Sequence, residues 1–446
     1  MALFPRRVIQ RCLDANASFA SRKTLHDWVK RLNKVSKDYV ATEWEVVLLS
    51  TFAGFGCIQH EPALGARPID LVFEAPDGGL KFGADIAAIS DETLHERNPI
   101  RRFRDEFNRR VLKAGIRGGR FVFRVGDRPS SHRGTGRKPK LLLPPANQFD
   151  AIIFTAAFDD YILAIQKEPL VPRDHYVGHQ SPDVYVSIQY QPGRGWGAAS
   201  LSYTSYTSTT VIDDNPLFNA LKSKADQLRR SGYDGIRGII VCDGGSRMFT
   251  EISTWASYTM DEVVREFFRQ NTSVLFVATI GIKSRPSGVG AGVSLYPDPR
   301  LFVNGSIEQL EWSADLNRLL HRVTAALPAL EQTPENVRIG MDWNRSTKRT
   351  KPYYGGSEMT RNEIRMSSRE LLDLLAGKLD YELFAKRYDL GGGNLFRLFR
   401  DRGRMISGAA IERRPDEDDD WVVLRFSDGD PATCDFVVPE TGPPST

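Results

Sequence analysis

Three acidic residues, Glu45, Asp70 and Asp85, are spaced so that they could act together on one substrate. Asp70 begins a strand-like run, and Asp85 lies fifteen residues later in the next such run. Side chains on paired strands can bring two carboxylates to one ion. Mg²⁺ prefers carboxylate oxygens and retained waters, and it can activate a water and neutralise charge at a phosphate. The placement of one acid on a predicted helix and two on a predicted strand pair leads to the hypothesis that these carboxylates hold Mg²⁺ or Mn²⁺.

The elements around these acids are predicted from apolar periodicity and turn residues. Glu45, Leu48, Leu49 and Phe52 share one helix face, and glycine follows at position 54. Asp77-Gly78-Gly79 lies between two apolar runs, which is typical of a hairpin. The predicted elements are, in order, a helix over 41–54, strands over 67–74 and 80–90, a basic amphipathic helix over 99–113 and a strand over 120–125.

Ordinary structural roles for the two strand acids stay open at this point. Asp70 follows Pro68 closely and could simply begin a strand after a turn. Asp85 could be a solvated strand residue.

This arrangement resembles the PD-(D/E)XK nuclease superfamily over residues 45–125 of 446. Pro68-Ile69-Asp70 resembles the PD element with one residue inserted, and Asp85-Ile86-Ala87 resembles the (D/E)XK element. Glu45 precedes Gly56 by eleven residues, as the helix acid does in many members. The family has three strands after its first helix, and only Gly56-Cys57-Ile58 is available for the first of them.

The resemblance implies a restriction-endonuclease-like mixed sheet flanked by helices. It also implies a Mg²⁺-dependent endonuclease in which Glu45, Asp70 and Asp85 are the catalytic and metal-binding residues. The chain departs from the family at Ala87, which stands where a lysine normally orients or activates the attacking water. We therefore expect cleavage to be slow, or to need a lysine from another segment or from a partner protein.

Residues 97–140 are strongly basic, with fifteen Lys and Arg residues against three acidic ones, a local net charge of +12. Such a segment suits contacts with a phosphate backbone, which need charge rather than sequence reading. A solvated surface loop, or pairing of its arginines with Asp105 or Glu106, is the alternative. The candidate nucleic-acid-binding residues are Arg101, Arg102, Arg109, Arg133, Arg137, Lys138 and Lys140.

The overall composition is that of an ordinary globular protein, and its net charge of +4 is mild. Its four cysteines lie far apart without zinc-ligand spacing, which favours a reduced cytoplasmic chain. No signal-peptide pattern is found, and no apolar run approaches the roughly 20 residues of a membrane helix. We expect a cytoplasmic protein without a membrane partner.

The length allows several domains. The second predicted domain repeats the strand–strand–helix–strand order of the first, which leaves open a degenerate repeat. Lys222, Lys224 and Gln227 lie on its first helix, but the sequence assigns them no role. The predicted divisions are an N-terminal helical segment over 1–38, a nuclease-like α/β domain over 39–172, a second α/β domain over 173–333, a basic linker over 334–357 and a small C-terminal α+β domain over 358–446.

The favoured function is a metal-dependent nuclease, or a nuclease-derived protein, that binds DNA or RNA. A role in restriction or antiphage defence follows from the resemblance alone. The alternative is a non-catalytic nucleic-acid or protein interaction module that retains a nuclease-like fold, and Ala87 favours it. A partner protein or a homo-oligomer stays open.

Overall fold

The computed structural model of the chain shows a mixed α/β protein. The residues that it describes are 2–34, 36, 38–91, 99–116, 118–128, 140–178, 183–194, 200–202, 212–250, 258–287, 292–305, 311–346, 357–360, 362–381, 384 and 395–433.

The helices are α1 (Arg6–Asn16), α2 (Arg22–Leu32), α3 (Tyr39–Ala53), α4 (Ile100–Lys113), α5 (Phe149–Ile152), α6 (Ala156–Lys167), α7 (Pro216–Arg229), α8 (Met260–Gln270), α9 (Glu311–Ala325), α10 (Pro334–Ser346), α11 (Ser368–Leu375) and α12 (Leu395–Asp401). Short 3₁₀ helices cover Gly118–Arg120, Ala146–Gln148, Ile212–Asp214, Arg247–Phe249 and Pro431–Thr433.

The strands are β1 (Cys57–Gln59), β2 (Leu71–Glu74), β3 (Lys81–Ile89), β4 (Phe121–Val125), β5 (Asp127–Arg128), β6 (Lys140–Leu141), β7 (Arg173–Val177), β8 (Val186–Tyr190), β9 (Ser200–Ser202), β10 (Ile236–Asp243), β11 (Phe276–Ser287), β12 (Gly292–Val303), β13 (Ser357–Met359), β14 (Glu363–Ser367), β15 (Ile406–Glu412) and β16 (Trp421–Phe426).

The chain divides into two compact units. Unit 1 comprises residues 1–59, 283–297 and 321–446, and unit 2 comprises residues 60–282 and 298–320. The boundary predicted near residue 172 therefore lies inside unit 2. Strands from both predicted α/β domains share one sheet there, because β3 pairs with β10 along its length.

The main sheet of unit 2 contains β2, β3, β10 and β11, side by side in that order. The hairpin predicted at Asp77-Gly78-Gly79 is confirmed: β2 and β3 are antiparallel, and Gly78 takes the positive φ of 70° that this turn needs. β10 runs parallel to both β3 and β11. Residues Gly238 to Asp243 of β10 are all buried, as expected of a parallel strand with neighbours on both sides.

Helix α7 follows the inserted part of the chain and covers this sheet. It begins at Asn215, whose side-chain oxygen accepts hydrogen bonds from the backbone N–H groups of Leu217 and Phe218. Its buried stripe packs against Ile69, which precedes β2, and against sheet residues that include Val72 and Ile239. That stripe consists of Leu217, Phe218, Leu221, Ala225 and Leu228.

Between β3 and α7 the chain forms an inserted subdomain, residues 99–202. Its four-stranded sheet has the order β7, β8, β4, β9, and one face packs on helices that include α4 and α6. Phe107 makes edge contacts with Phe121, Phe123 and Phe158 in this second core. The predicted basic helix and the strand after it are both present. However, they belong to this second sheet rather than to the sheet of the hairpin.

Unit 1 joins the first and last parts of the chain. Phe4 packs edge-on against Trp44 of α3, and the backbone N–H of Arg6 donates to Asp418 at 2.6 Å. Arg7 pairs with Asp420 at 2.9 Å. The acidic loop 416–420 is thus held by the beginning of α1. The C-terminal sheet has the order β13, β14, β16, β15.

The predicted linker over 334–357 differs from the structure in its first half. Residues 334–346 form α10, in which Val337 and Met341 are buried. The sequence pattern was misleading because the polar and basic residues of this helix outnumber its buried ones. Across the described ranges, no helix is both long enough and apolar enough to cross a membrane.

Candidate active site

Asp70 and Asp85 lie opposite each other on the antiparallel pair β2–β3. The register that joins Leu71 to Ala84 continues by one step to Asp70 and Asp85. Directly opposed residues on one face of an antiparallel pair have Cβ atoms about 4.5–5.5 Å apart. The backbone therefore brings the two carboxylates together, as the sequence predicted for this pair.

Hydrogen bonds from the backbone fix both carboxylates. Asp85 Oδ1 accepts from the N–H of Asp70 at 3.1 Å, and Asp70 Oδ2 accepts from the N–H of Ile86 at 2.8 Å. The side chain of Asp85 is fully buried, and its Oδ2 has no hydrogen-bond partner among the described residues. A buried carboxylate oxygen without a partner is costly, which makes it a candidate ligand atom.

Helix α7 brings a cation to this pair. Lys224 Nζ lies 2.8 Å from Asp70 Oδ2, with 20% and 16% of the two side chains exposed. Lys224 and Gln227 each precede a buried residue of the helix face that packs on the sheet. This places both side chains at the border of that face, beside β2.

Gln227 connects the lysine to the chain just before β2. Its Oε1 accepts from Lys224 Nζ at 3.3 Å, and its Nε2 donates to the carbonyl of Pro68 at 3.0 Å. A lysine only donates and a carbonyl only accepts, so the amide has one orientation here. The lysine is thus held between a carboxylate and an oriented amide oxygen.

The pKa of Asp85 is raised from 3.8 to about 7: burial is the largest cause and the charge of Asp70 adds to the rise, whereas Lys224 and the hydrogen bond from the Asp70 N–H lower it. A carboxyl group poised near neutrality is common at functional sites, because burial and like charges are concentrated there. A nearby cation would favour the ionised form of Asp85.

The donor set fits one hydrated Mg²⁺ or Mn²⁺. Each carboxylate keeps one oxygen, Asp70 Oδ1 and Asp85 Oδ2, without a hydrogen-bond partner in the described part of the chain. Mg²⁺ is commonly bound by one or two carboxylates, several waters and substrate phosphate oxygens. Within the described ranges, no group of three or more His, Cys, Asp or Glu side chains is arranged around a metal position. Asp70 and Asp85 would therefore be the only acidic ligands that unit 2 offers at this point of the described structure.

The structure places Glu45 in unit 1, where other side chains hold its carboxylate. Trp28 Nε1 donates to Glu45 Oε1 at 2.9 Å, and Arg31 lies 3.3 Å from Oε2. These contacts join α2 to α3. Glu45 therefore has a structural role that the helical periodicity did not indicate.

The predicted nucleic-acid-binding residues are only partly described. Arg102 and Arg109 are exposed on α4. Arg109 forms an ion pair with Glu106 at 2.5 Å, one of the alternatives left open above. Arg101 belongs to α4 and Lys140 to β6, but their side chains are not described. Arg133, Arg137 and Lys138 lie outside the described residues.

The sequence missed Lys224 because 154 residues separate it from Asp70. One signal could have found it. Residues 238–242 read as an uninterrupted apolar strand, which needs a neighbour on each side. The hairpin ending at Ile89 was the strand pair available to provide one.

Comparison of the chain with protein-family models, with curated proteins and with solved structures found no match.

Proposed function

We propose that this protein is a metal-dependent nuclease whose active site is formed by Asp70, Asp85 and Lys224. The observation that carries the proposal is the lysine of α7 lying 2.8 Å from the first of two opposed carboxylates. A PD-(D/E)XK site needs two acids and a lysine, and Ala87 leaves the third position of the sequence motif without one. Lys224 supplies the missing cation from a different element.

The order of elements supports a restriction-endonuclease-like core. Along the chain, α3, β1, β2, β3, α7 and β10 give helix, three strands, helix and strand, once the inserted subdomain is set aside. From the sequence, this order was expected within residues 45–125, with the helix over 99–113 in the place that α7 takes in the proposed core. The proposed core therefore extends to residue 243.

Each residue has a chemical role in the proposed reaction. Asp70 and Asp85 would hold the ion through their free oxygens, and the ion would supply charge neutralisation and an activated water at the scissile phosphate. Lys224 would orient that water or stabilise the developing charge on phosphate, since its ammonium group donates up to three hydrogen bonds. Gln227 would keep the ammonium group in place.

A cleavage assay tests the proposal. Purified wild-type protein is incubated with supercoiled plasmid DNA, single-stranded DNA or RNA, in Mg²⁺, in Mn²⁺ or in EDTA. We expect metal-dependent cleavage that Asp70→Asn and Asp85→Asn abolish. Lys224→Met should reduce the rate by about 10²- to 10³-fold, the range typical of one donor that stabilises developing charge.

Lys222→Met is the matched control, because Lys222 lies on the same helix, is exposed, and stacks over Phe218 at 5.4 Å instead of reaching Asp70. It should cleave at the wild-type rate. Calorimetry with Mn²⁺ should show binding to wild type and to Lys224→Met, and none to Asp85→Asn. Cleavage by Asp70→Asn at the wild-type rate would refute the assignment.

The second candidate function is the non-catalytic interaction module. Ala87 favours this candidate, since a nuclease-derived protein that has lost its motif lysine can keep its fold and its metal-binding carboxylates. Nucleic-acid binding by the wild type, without cleavage in either metal, would support this candidate over the enzyme.

A further inference from the structure

The sheet of the inserted subdomain has two chemically different faces. In β4, Phe121, Phe123 and Val125 are buried against the helices, whereas Arg124 is exposed on the other side. In β7, His175 stacks on Tyr161 of α6. The alternate residues of that strand, Asp174 and Tyr176, are exposed. The strand alternation therefore gives the sheet a core face and a second face, on which Arg124, Asp174 and Tyr176 are exposed and Ser187 is buried.

The strand register arranges the residues of this second face in rows. One row across the sheet contains Tyr176, Ser187, Arg124 and Ser202, one residue from each of β7, β8, β4 and β9. The next row contains Asp174, Gln189, Val122 and Ser200. Tyr176 and Arg124 thus lie two strands apart in one row, with their backbones about 10 Å apart at ordinary strand spacing.

The two largest side chains of the first row, Tyr176 and Arg124, are exposed. Tyr176 is 51% exposed, and its hydroxyl donates to Asp174 at 3.3 Å, which steadies the ring. Arg124 is exposed, and none of the acidic side chains that the structure describes forms an ion pair with it. The segment 97–140, which contains Arg124, has a net charge of +12, and a basic segment suits a polyanionic ligand.

We propose that this face binds single-stranded nucleic acid, with a base stacked on Tyr176 and a phosphate at Arg124. Four-stranded sheets with an exposed aromatic residue and nearby cations suit unpaired bases, because every base has a π face that can stack. The bases of a duplex are stacked on one another and cannot lie flat on the ring. The inference deepens the proposed function by naming a single-stranded substrate for the nuclease, and it rests on that function only for the cleavage step.

Fluorescence anisotropy in EDTA tests the binding without cleavage. The probes are labelled single-stranded DNA, the same sequence as RNA, and the same sequence as a DNA duplex. Tyr176→Ala should weaken binding of single strands about 5- to 100-fold, the range that base–aromatic stacking covers. Tyr176→Phe should bind within about twofold of wild type, because it keeps the ring. Tyr381→Ala, which removes an exposed tyrosine of unit 1, is the matched control and should bind like wild type.

Arg124→Gln should reduce the slope of log affinity against log salt by about 0.7 on single strands, the value for one phosphate contact.

Unchanged affinity in Tyr176→Ala would overturn the proposal, as would equal losses in Tyr176→Phe and Tyr176→Ala. Equal losses on single strands and duplex would overturn the single-strand assignment. If binding depends on Tyr176 but no metal supports cleavage, the binding face stands and the proposed nuclease fails. If cleavage depends on Lys224 but not on Tyr176, the proposed nuclease stands and the binding face fails.

Discussion

Replacing Asp85 with Asn should stabilise the protein at neutral pH in the absence of metal. Asp85 is fully buried beside Asp70, and burial raises its pKa from 3.8 to about 7. The folded state thus holds a proton on this group more tightly than the unfolded state does. Stability from this group is complete below pH 4 and is lost as the pH rises through about 7. Asn carries no charge, so it keeps this stability at every pH.

The size of the effect follows from the same pKa. A rise from 3.8 to about 7 corresponds to at most about 4 kcal/mol, since a tenfold change in acidity is worth about 1.4 kcal/mol. A free energy of this size would shift the melting temperature of a unit of this length by about 10 °C. Asn also preserves the acceptor for the backbone N–H of Asp70. We therefore expect a gain of a few kcal/mol at pH 8 and little change at pH 4.

Thermal unfolding in EDTA at several pH values between 4 and 8 measures this difference. Glu74→Gln is the control, because Glu74 is 47% exposed in the same hairpin and pairs with Lys81 at 2.7 Å. Its effect should stay within about 0.5 kcal/mol at every pH. Added Mn²⁺ should raise the melting temperature of wild type but not of Asp85→Asn. A melting temperature of Asp85→Asn below wild type at pH 8 in EDTA would refute the reasoning.

Two further predictions concern other parts of the chain. Glu43→Gln should stabilise unit 1 increasingly as the pH rises from about 5 to 8, because burial raises the pKa of this fully buried carboxyl group to about 8. Denaturant unfolding at pH 5 and at pH 8 measures the free-energy difference between the variant and the wild type. A difference that does not change with pH would contradict the prediction. Replacing Arg133, Arg137, Lys138 and Lys140 together with Ala should weaken duplex binding and lower its log–log salt slope by about 0.9 for each lost phosphate contact. An unchanged slope would exclude this segment from the interface.

The local elements around the acids could be predicted from the sequence. Helix α3, the hairpin of β2 and β3, helix α4 and strand β4 all lie where periodicity and turn residues placed them. The pairing of Asp70 with Asp85 followed as well, because a tight turn at Gly78 fixes the register of the strands beside it. These features depend on interactions among residues close in sequence.

Long-range pairing could not be predicted in the same way. From the sequence, β4 was the expected neighbour of β3 in the sheet of the hairpin. In the structure that neighbour is β10, whose first residue, Ile236, lies 147 residues after the end of β3 at Ile89. Both strands are apolar and of suitable length, so local pattern does not distinguish them. The choice depends on which helix buries its stripe against the sheet, and α7 does so.

The sequence by itself determined the two strand acids, their opposition across a tight hairpin, and the basic character of the segment that follows. Only the tertiary structure decided that Lys224 joins them and that Glu45 is held by Trp28 and Arg31. The physical reason is the range of the interactions. A hairpin register is set within a few residues, whereas an ion pair between residues 154 positions apart depends on how a helix packs on a distant sheet.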